Sequence, residues 1–463
     1  KKPIVLLEGG KSEAGSRAAL SHTYSLSGNS RLSGSVLRAL GVTLAEDFHQ
    51  MVDLATTLSA YPMLGESCQV AVLTFSGGAG ILSCDLLERG GVGIADLSEA
   101  SRKALTGIFP PWMPVSNPVD IYPAMEVHGR DETYGLVLSV LLKDPHADAV
   151  LIHYVAGLGE DAINLEEWKA SADQAGKALI FWLLGPREEV REFRSRAEKC
   201  RIPVFGEISR AAECLAAASA FGSRTPDKAF LNWKQEAGQR TERVFTSRDS
   251  GMERVWDEVE TKKWLSRYGI PVVEEQGISS MSEAEECAEK FGFPLVLKGL
   301  LPGDLHKTEH GLVRLGITDM GGLKSAYMEL EKKMEGRGRM VLQRYVKADY
   351  ELTIGYLRDE RFGPCVMFGA GGVLSELRPD VVFALAPLNH REARALMGRV
   401  VSSALLEGLR GMAPIRKDAM AHMLVKLGEL GSERPEIRQV DVNPVAVSKG
   451  FPMALDANVV WSE

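Results

Sequence analysis

Four groups of residues have the types and spacing to handle phosphate. In SEAGSRAALSHT, His22 sits between Ser21 and Thr23 in a small-residue loop that runs on into SLSGNSRLSG. Small residues let backbone approach a phosphate closely, and neutral imidazole is a competent phosphoryl nucleophile near its ordinary pKa of about 6.5. Taken alone, the residues leave a surface or hydrogen-bonding role open for His22. The second group is Ser76-Gly77-Gly78-Ala79-Gly80, where a β-rich run meets a helical one. Free N–H groups and the positive end of a helix dipole would face one anion there, although a tight turn needing glycine for steric reasons fits equally well. Close by, SNPVD (116–120) reads as a fixed Asn-Pro turn, with Asp120 open to a capping role.

The third group begins with Lys298, which ends PLVLKG and is followed by LPGDLHKTEHG. A lysine at the end of a buried strand is costly unless it reaches solvent or an anion, and a glycine-containing loop after it invites phosphate. His306, Lys307 and His310 add cationic or proton-transferring groups, and a solvated charged hairpin is the plainer alternative. The fourth group is VDVNPVAVSKGFPMALDA, with Asp441, Asn443 and Asp456 on two candidate strands joined at Lys449-Gly450. Hard oxygen donors close across a hairpin suit Mg²⁺ shared with nucleotide phosphates, and any one of them could equally be a surface turn residue.

The elements that must hold these groups follow from the apolar pattern. QVAVLTF, ADAVLIHYV and KALIFWLL are short apolar runs, each followed by a polar loop and helical spacing, as in Ala79 to Glu88 and Arg187 to Cys200. Strands apolar on both faces belong to a parallel sheet between helices, so about 68–222 reads as an open doubly wound α/β domain. From Ser223 to Gly251 the pattern lapses into a linker rich in charge and turn formers. A new unit starts near Met252, with a first helix expected over ERVWDEVETKKWLSRYG and stopped at Gly269 and Pro271. The strands PLVLKG, VLQRYV, YELTIGYL, PCVMFG and VVFALA then give α+β with antiparallel character.

Composition narrows the function classes. A chain of 463 residues suggests about three domains, and no apolar run approaches the roughly 18 residues that span a bilayer. A net charge of −8, from 54 Lys and Arg against 62 Asp and Glu, has the wrong sign for nucleic-acid binding. Six dispersed cysteines form no C-x-x-C pair, which favours reduced thiols in a cytoplasmic protein. G-x-G-x-x-G, Walker, H-E-x-x-H and G-x-S-x-G patterns are absent. The opening KKPIVLLEGG reads as a buried strand already inside a domain, as in a fragment or processed piece.

Together, SEAGSRAALSHT, TFSGGAGI, SNPVD, PLVLKG with LHKTEHGLV, FGPCVMFGAGG and VDVNPVAV resemble the ADP-forming acyl-CoA synthetases, relatives of succinyl-CoA synthetase. The resemblance implies α/β flavodoxin-like CoA-ligase subdomains followed by an α+β ATP-grasp domain. Its divisions would be the tail of a first flavodoxin-like subdomain with the phosphohistidine loop (1–64), a second one (65–222), a linker (223–251) and the ATP-grasp domain (252–463). It implies ligation of a carboxylic acid to CoA with ATP and Mg²⁺, through an acyl phosphate and a phosphohistidine. His22 would be phosphorylated, with the turn at Gly77, Gly78, Ala79 and Gly80 holding its phosphate, and His306 would be a second phosphorylatable histidine. Lys298 and Glu351 would bind nucleotide, Asn443 and Asp456 the metal, and Asp441 would lie near the visiting phosphohistidine. A CoA-binding Rossmann domain would stand upstream or on another subunit of an oligomer.

Thr23-Tyr24 replaces the usual Thr-Gly, and Ala384 stands where an arginine is usual. Two other outcomes use similar motifs, a CoA-dependent lyase and a non-catalytic sensor of nucleotide or acyl-CoA. The acyl group is not legible in the sequence.

Overall fold

The computed structural model describes residues 2–12, 14–15, 30–62, 64–65, 67–158, 163–222, 253–256, 258–301, 311–372, 380–408 and 412–462. They group into two compact units. The first holds the described residues before 27 and from 40 to 222, and the second holds 30–39 and those beyond 252.

In the first unit, β1 (Val5–Leu7) pairs in parallel with β2 (Thr43–Ala45). Between them in the chain lies α1 (Ser30–Ala39), which belongs to the second unit. Helix α2 (Phe48–Ala60) starts at Asp47, whose side chain accepts from Gln50 N. Next come β3 (Gln69–Thr74), α3 (Gly77–Arg89), β4 (Gly93–Ile94), β5 (Val119–Asp120), β6 (Ala149–Val155), β7 (Ala178–Leu184), β8 (Val204–Phe205) and α4 (Ile208–Gly222). The six strands form one parallel sheet in the order β4-β3-β6-β7-β8, with β5 also on β3.

Alternation along the central strands builds a core on each face, because successive strand side chains point to opposite sides. Leu73, Ile152, Tyr154 and Phe181 pack into one core, while Val70, Val72, Leu151 and Ile180 pack into the other with Leu54 and Leu58 of α2. The doubly wound domain expected from the sequence is present.

In the second unit, β9 (Glu253–Trp256) precedes α5 (Glu258–Arg267). The sequence reading extended one helix over both. Glu253–Trp256 instead pairs antiparallel with the last strand, and Trp256 packs edge-on to Trp264 and Trp461. A four-stranded sheet follows from β10 (Glu275–Ile278), β11 (Leu295–Leu300), β12 (Val313–Ile317) and β13 (Arg339–Arg344), in the order β10-β13-β11-β12. A seven-stranded sheet contains β9, β14 (Tyr350–Asp359), β15 (Gly363–Ala370), β16 (Val381–Leu385), β17 (Ile437–Ser448), β18 (Phe451–Ala454) and β19 (Asn458–Ser462). All pairings in both sheets are antiparallel, as the sequence reading expected. Helix α1 packs on β16, burying Leu32 and Val36. Ala384, where an arginine was the expected residue, is buried in the core of the larger sheet.

Among the described residues no helix is long and apolar enough to cross a membrane. All six cysteines are free thiols, and burial pushes Cys68, Cys214 and Cys365 up to about 12.

Candidate functional site

In the first unit, β3 ends at Thr74 and α3 starts at Gly77, so the glycine turn lies at the C-terminal edge of a parallel sheet, next to the β3–β6 boundary. Strand order reverses there, which is where open α/β sheets commonly bind ligands. Ser76 caps the helix, its hydroxyl 3.5 Å from Ala79 N. Gly77 and Gly78 are exposed in the first turn, where backbone N–H groups lack intrahelical acceptors. Gly80 is a glycine for want of room: a Cβ would lie 2.9 Å from Pro118 Cβ and 3.1 Å from Thr74 Cγ2.

The SNPVD segment supports this edge. Asn117 Nδ2 donates to Val70 O and Ala95 O at 2.9 Å each, while its Oδ1 accepts from Val72 N at 2.8 Å. Strand β4 covers β3 only at Gln69 and Val70, and β5 only at Leu73 and Thr74. The Asn117 amide therefore supplies the ladder bond that the gap between them leaves missing. Asp120 does more than the simple cap expected of it: Oδ1 accepts from Tyr122 N at 3.2 Å, and Oδ2 lies 3.2 Å from where a Gly77 Cβ would stand.

Behind the turn stands His153, which sequence reasoning missed. It is fully buried on β6, with Nδ1 2.8 Å from Thr74 Oγ1, Nε2 3.0 Å from Ser83 Oγ, and its ring edge-on to Trp182. Burial lowers its pKa to about 4. A lone polar residue inside the apolar run AVLIHYV was the available signal.

The second unit carries Lys298, Glu351, Asp441, Asn443 and Asp456. Lys298 on β11 is buried, with Nζ 2.5 Å from Glu258 Oε1 and 3.0 Å from Leu455 O. Glu351 lies at the start of β14 opposite Ala446, with its Oε2 2.6 Å from the position a Gly372 Cβ would take. Asp441 and Asn443 lie on β17, and Asp456 follows β18. The hairpin turn is at Lys449-Gly450 as expected, both at positive φ. Asn443 N donates to Asp456 O at 3.2 Å, joining the two strands at the candidate metal ligands.

Burial raises the Asp441 pKa to about 6, and the nearby Asp456 charge adds to the rise. Two acids that oppose each other's ionisation form a site suited to a cation. Among the described residues no three His, Cys, Asp or Glu side chains form a metal-holding group. Mg²⁺ usually takes one or two protein carboxylates and completes its shell with water and phosphate, so this sparse oxygen set fits it. His22 and His306, with Lys307 and His310, lie outside the described residues.

Residues 248–460 match the family model of an ATP-grasp domain, and residues 1–58 match that of a succinyl-CoA ligase like flavodoxin domain. The chain is 30% identical, over its whole length, to 67% of the ADP-forming acetate–CoA ligase I of Archaeoglobus fulgidus. It belongs to the ADP-forming acyl-CoA synthetases. The 4-hydroxybutyrate–CoA ligase (ADP-forming) of Nitrosopumilus maritimus is 28% identical, with 96% of this chain covering 64% of that enzyme. The beta subunit of the ADP-forming acetate–CoA ligase I of Pyrococcus furiosus is 32% identical, with 44% of this chain covering 90% of that subunit. The chain thus spans about two thirds of the length of the first two relatives. Members of this family are acid–thiol ligases, and the antiparallel unit of this chain lies within the stretch that matches the ATP-grasp model, beside a parallel-sheet α/β unit.

Proposed function

We propose that this protein interconverts a carboxylic acid, CoA and ATP with an acyl-CoA, ADP and phosphate, in assembly with a CoA-binding Rossmann domain carried elsewhere in its chain or on another subunit. The subdomain divisions at 64/65, 222/223 and 251/252 are part of the same reading, as is a cytoplasmic location, with which six free thiols agree. In the acyl-CoA-forming direction, His22 takes the γ-phosphoryl of ATP in the second unit and passes it to the carboxylate substrate. The acyl phosphate then yields to the CoA thiolate, releasing phosphate.

The observation that carries this reading is the path of the chain around His22. Residues 2–12 and 14–15 belong to the first unit, and the helix after His22, α1, packs inside the second on β16. A segment whose two flanks in the chain belong to different units is what a phosphoryl carrier between two sites requires. On this reading, Gly77, Gly78, Ala79 and Gly80 of the first unit offer a helix N-terminus for the phosphate, and in the second unit Lys298 offers a cation for the nucleotide phosphates and Glu351 a carboxylate for the ribose hydroxyls. Asn443 and Asp456 would hold Mg²⁺, which neutralises phosphate charge when bound, and Asp441 would face the visiting histidine.

Incubation with radiolabelled ATP and Mg²⁺ tests the carrier. An acid-labile, base-stable label that His22→Asn abolishes is the expected result. Full labelling of His22→Asn would overturn the assignment, and loss in His306→Asn would move it to His306.

A further inference from the structure

Two buried ammonium groups in the second unit share the same two acceptors. Glu258, the first residue of α5, accepts through Oε1 from Lys262 Nζ at 2.7 Å and from Lys298 Nζ at 2.5 Å. The Leu455 carbonyl accepts from Lys262 at 2.9 Å and from Lys298 at 3.0 Å. Lys262 also donates to Gln343 Oε1 at 3.2 Å and pairs with Glu275. An ammonium has three N–H groups, so those of Lys262 are all engaged, and its role is to hold the cluster. Lys298 has two such acceptors among the described residues and is the more open of the two, 6% exposed against 1%. Among the described residues, one N–H is left to meet a phosphate oxygen.

Leu455 immediately precedes Asp456. Its N–H donates to Pro444 O at 3.0 Å, and Asn443 N donates to Asp456 O at 3.2 Å. The carbonyl gripped by both lysines is therefore part of the segment that carries Asp456 and is hydrogen-bonded to β17 at Asn443. Without a carboxylate at 258, Lys262 would keep Glu275 and Gln343, but Lys298 would keep only the neutral Leu455 carbonyl among the described residues, and buried charge requires a partner.

We infer that Glu258 is a positioning residue that fixes Lys298 and the Asp456 turn together, linking nucleotide-phosphate affinity to Mg²⁺ affinity through one carboxylate. The inference rests on the nucleotide-site reading above. Lys298 supplies the phosphate contact, and Glu258 acts through it without touching nucleotide.

The test is calorimetry of ADP binding to the full chain, first metal-free and then with Mg²⁺, for wild type, Glu258→Gln, Lys298→Met and the double variant. Each single variant is expected to weaken metal-free ADP binding about tenfold or more, as loss of a charge-assisted contact does. The double variant should be no weaker than Lys298→Met, because the two changes remove one interaction. Glu258→Gln should also raise the half-saturating Mg²⁺ concentration, and Glu258→Asp, which keeps the charge on a shorter arm, should recover part of both losses. Wild-type or tighter ADP binding in Glu258→Gln, or losses that multiply in the double variant, would overturn the inference and leave the nucleotide site standing. Failure of wild type to bind ADP would overturn both. Should Glu258→Gln not fold, Glu258→Asp decides alone: intermediate affinity supports the coupling and unchanged affinity sinks it.

Discussion

His153 Nδ1 is 2.8 Å from Thr74 Oγ1, and the surrounding bonds decide which atom carries the proton. The Thr74 hydroxyl donates to Ser76 O at 2.9 Å and accepts from Ser76 N at 3.0 Å. With its own proton used, Thr74 can only accept from the ring, so Nδ1 bears hydrogen and Nε2 accepts from Ser83 Oγ. A neutral, doubly bonded imidazole thus braces Thr74 and, through it, Ser76 at the start of the glycine turn.

The bracing should appear as a pH-dependent stability. The folded pKa of about 4 lies below the ordinary 6.5, so between these values the unfolded chain binds more protons. Stability from this group is complete above about pH 6.5 and is lost as pH falls towards about 4, with a ceiling of about 3 kcal/mol. His153→Phe keeps an aromatic ring beside Trp182 and removes both hydrogen bonds. Urea unfolding at pH 7 should show a loss of about 1–3 kcal/mol, and the slope of stability between pH 6.5 and 4 should flatten. An unchanged slope would mean that His153 does not titrate as described.

How much of this was legible in the sequence depended on where each residue stands relative to turn formers. The glycine turn, Lys298 and the Asp441, Asn443, Asp456 group are flanked by Gly, Pro or short apolar runs that mark strand ends, and strand ends are legible from local pattern. Glu258 and Lys262 look like the solvated face of a helix in EVETKKWLSR, yet both are buried. Their meaning comes from Leu455, 193 residues beyond Lys262, and no local pattern encodes such a contact. The same limit explains β9: Val255, Trp256 and Val259 suit a helix by spacing, and only the distant strand β19 makes Glu253–Trp256 extended. Asn117 was read as a turn former because the gap it fills, between β4 and β5 along β3, exists only in the assembled sheet.

Metal dependence should follow Asp456. The carboxylate stands close enough to Asp441 to raise that group's pKa, so the two charges oppose each other's ionisation. Asp456→Asn relieves that repulsion and removes a charged oxygen donor. The variant should be at least as stable as wild type to heat in the presence of a chelator, and should need about tenfold more Mg²⁺ for half-maximal phosphoryl transfer. Scanning calorimetry with chelator and a Mg²⁺ titration of label incorporation measure the two effects. A variant with lower stability in chelator and an unchanged Mg²⁺ requirement would place the metal elsewhere.

Helix α1 offers a way to separate phosphoryl capture from nucleotide binding. Leu32 and Val36 are fully buried one turn apart on its face, and the helix packs on β16 of the unit that carries Lys298 and Asp456. Residues four apart share a helix face, so Val36→Asp puts a carboxylate into that contact while the partner strand stays intact. The expected cost is about 2–4 kcal/mol of helix docking, enough to leave α1 detached for most of the time if docking is its main support. ADP affinity should stay near wild type, since Lys298 lies on β11 and Asp456 follows β18, neither on α1 nor on β16. On the proposed role of His22, label incorporation from ATP should fall at least tenfold, because α1, which follows His22 in the chain, no longer docks on β16. Parallel measurements of ADP binding and of label incorporation distinguish the cases. Loss of both would mean that α1 supports the nucleotide unit itself, and retention of both would mean that the docked helix contributes nothing to capture.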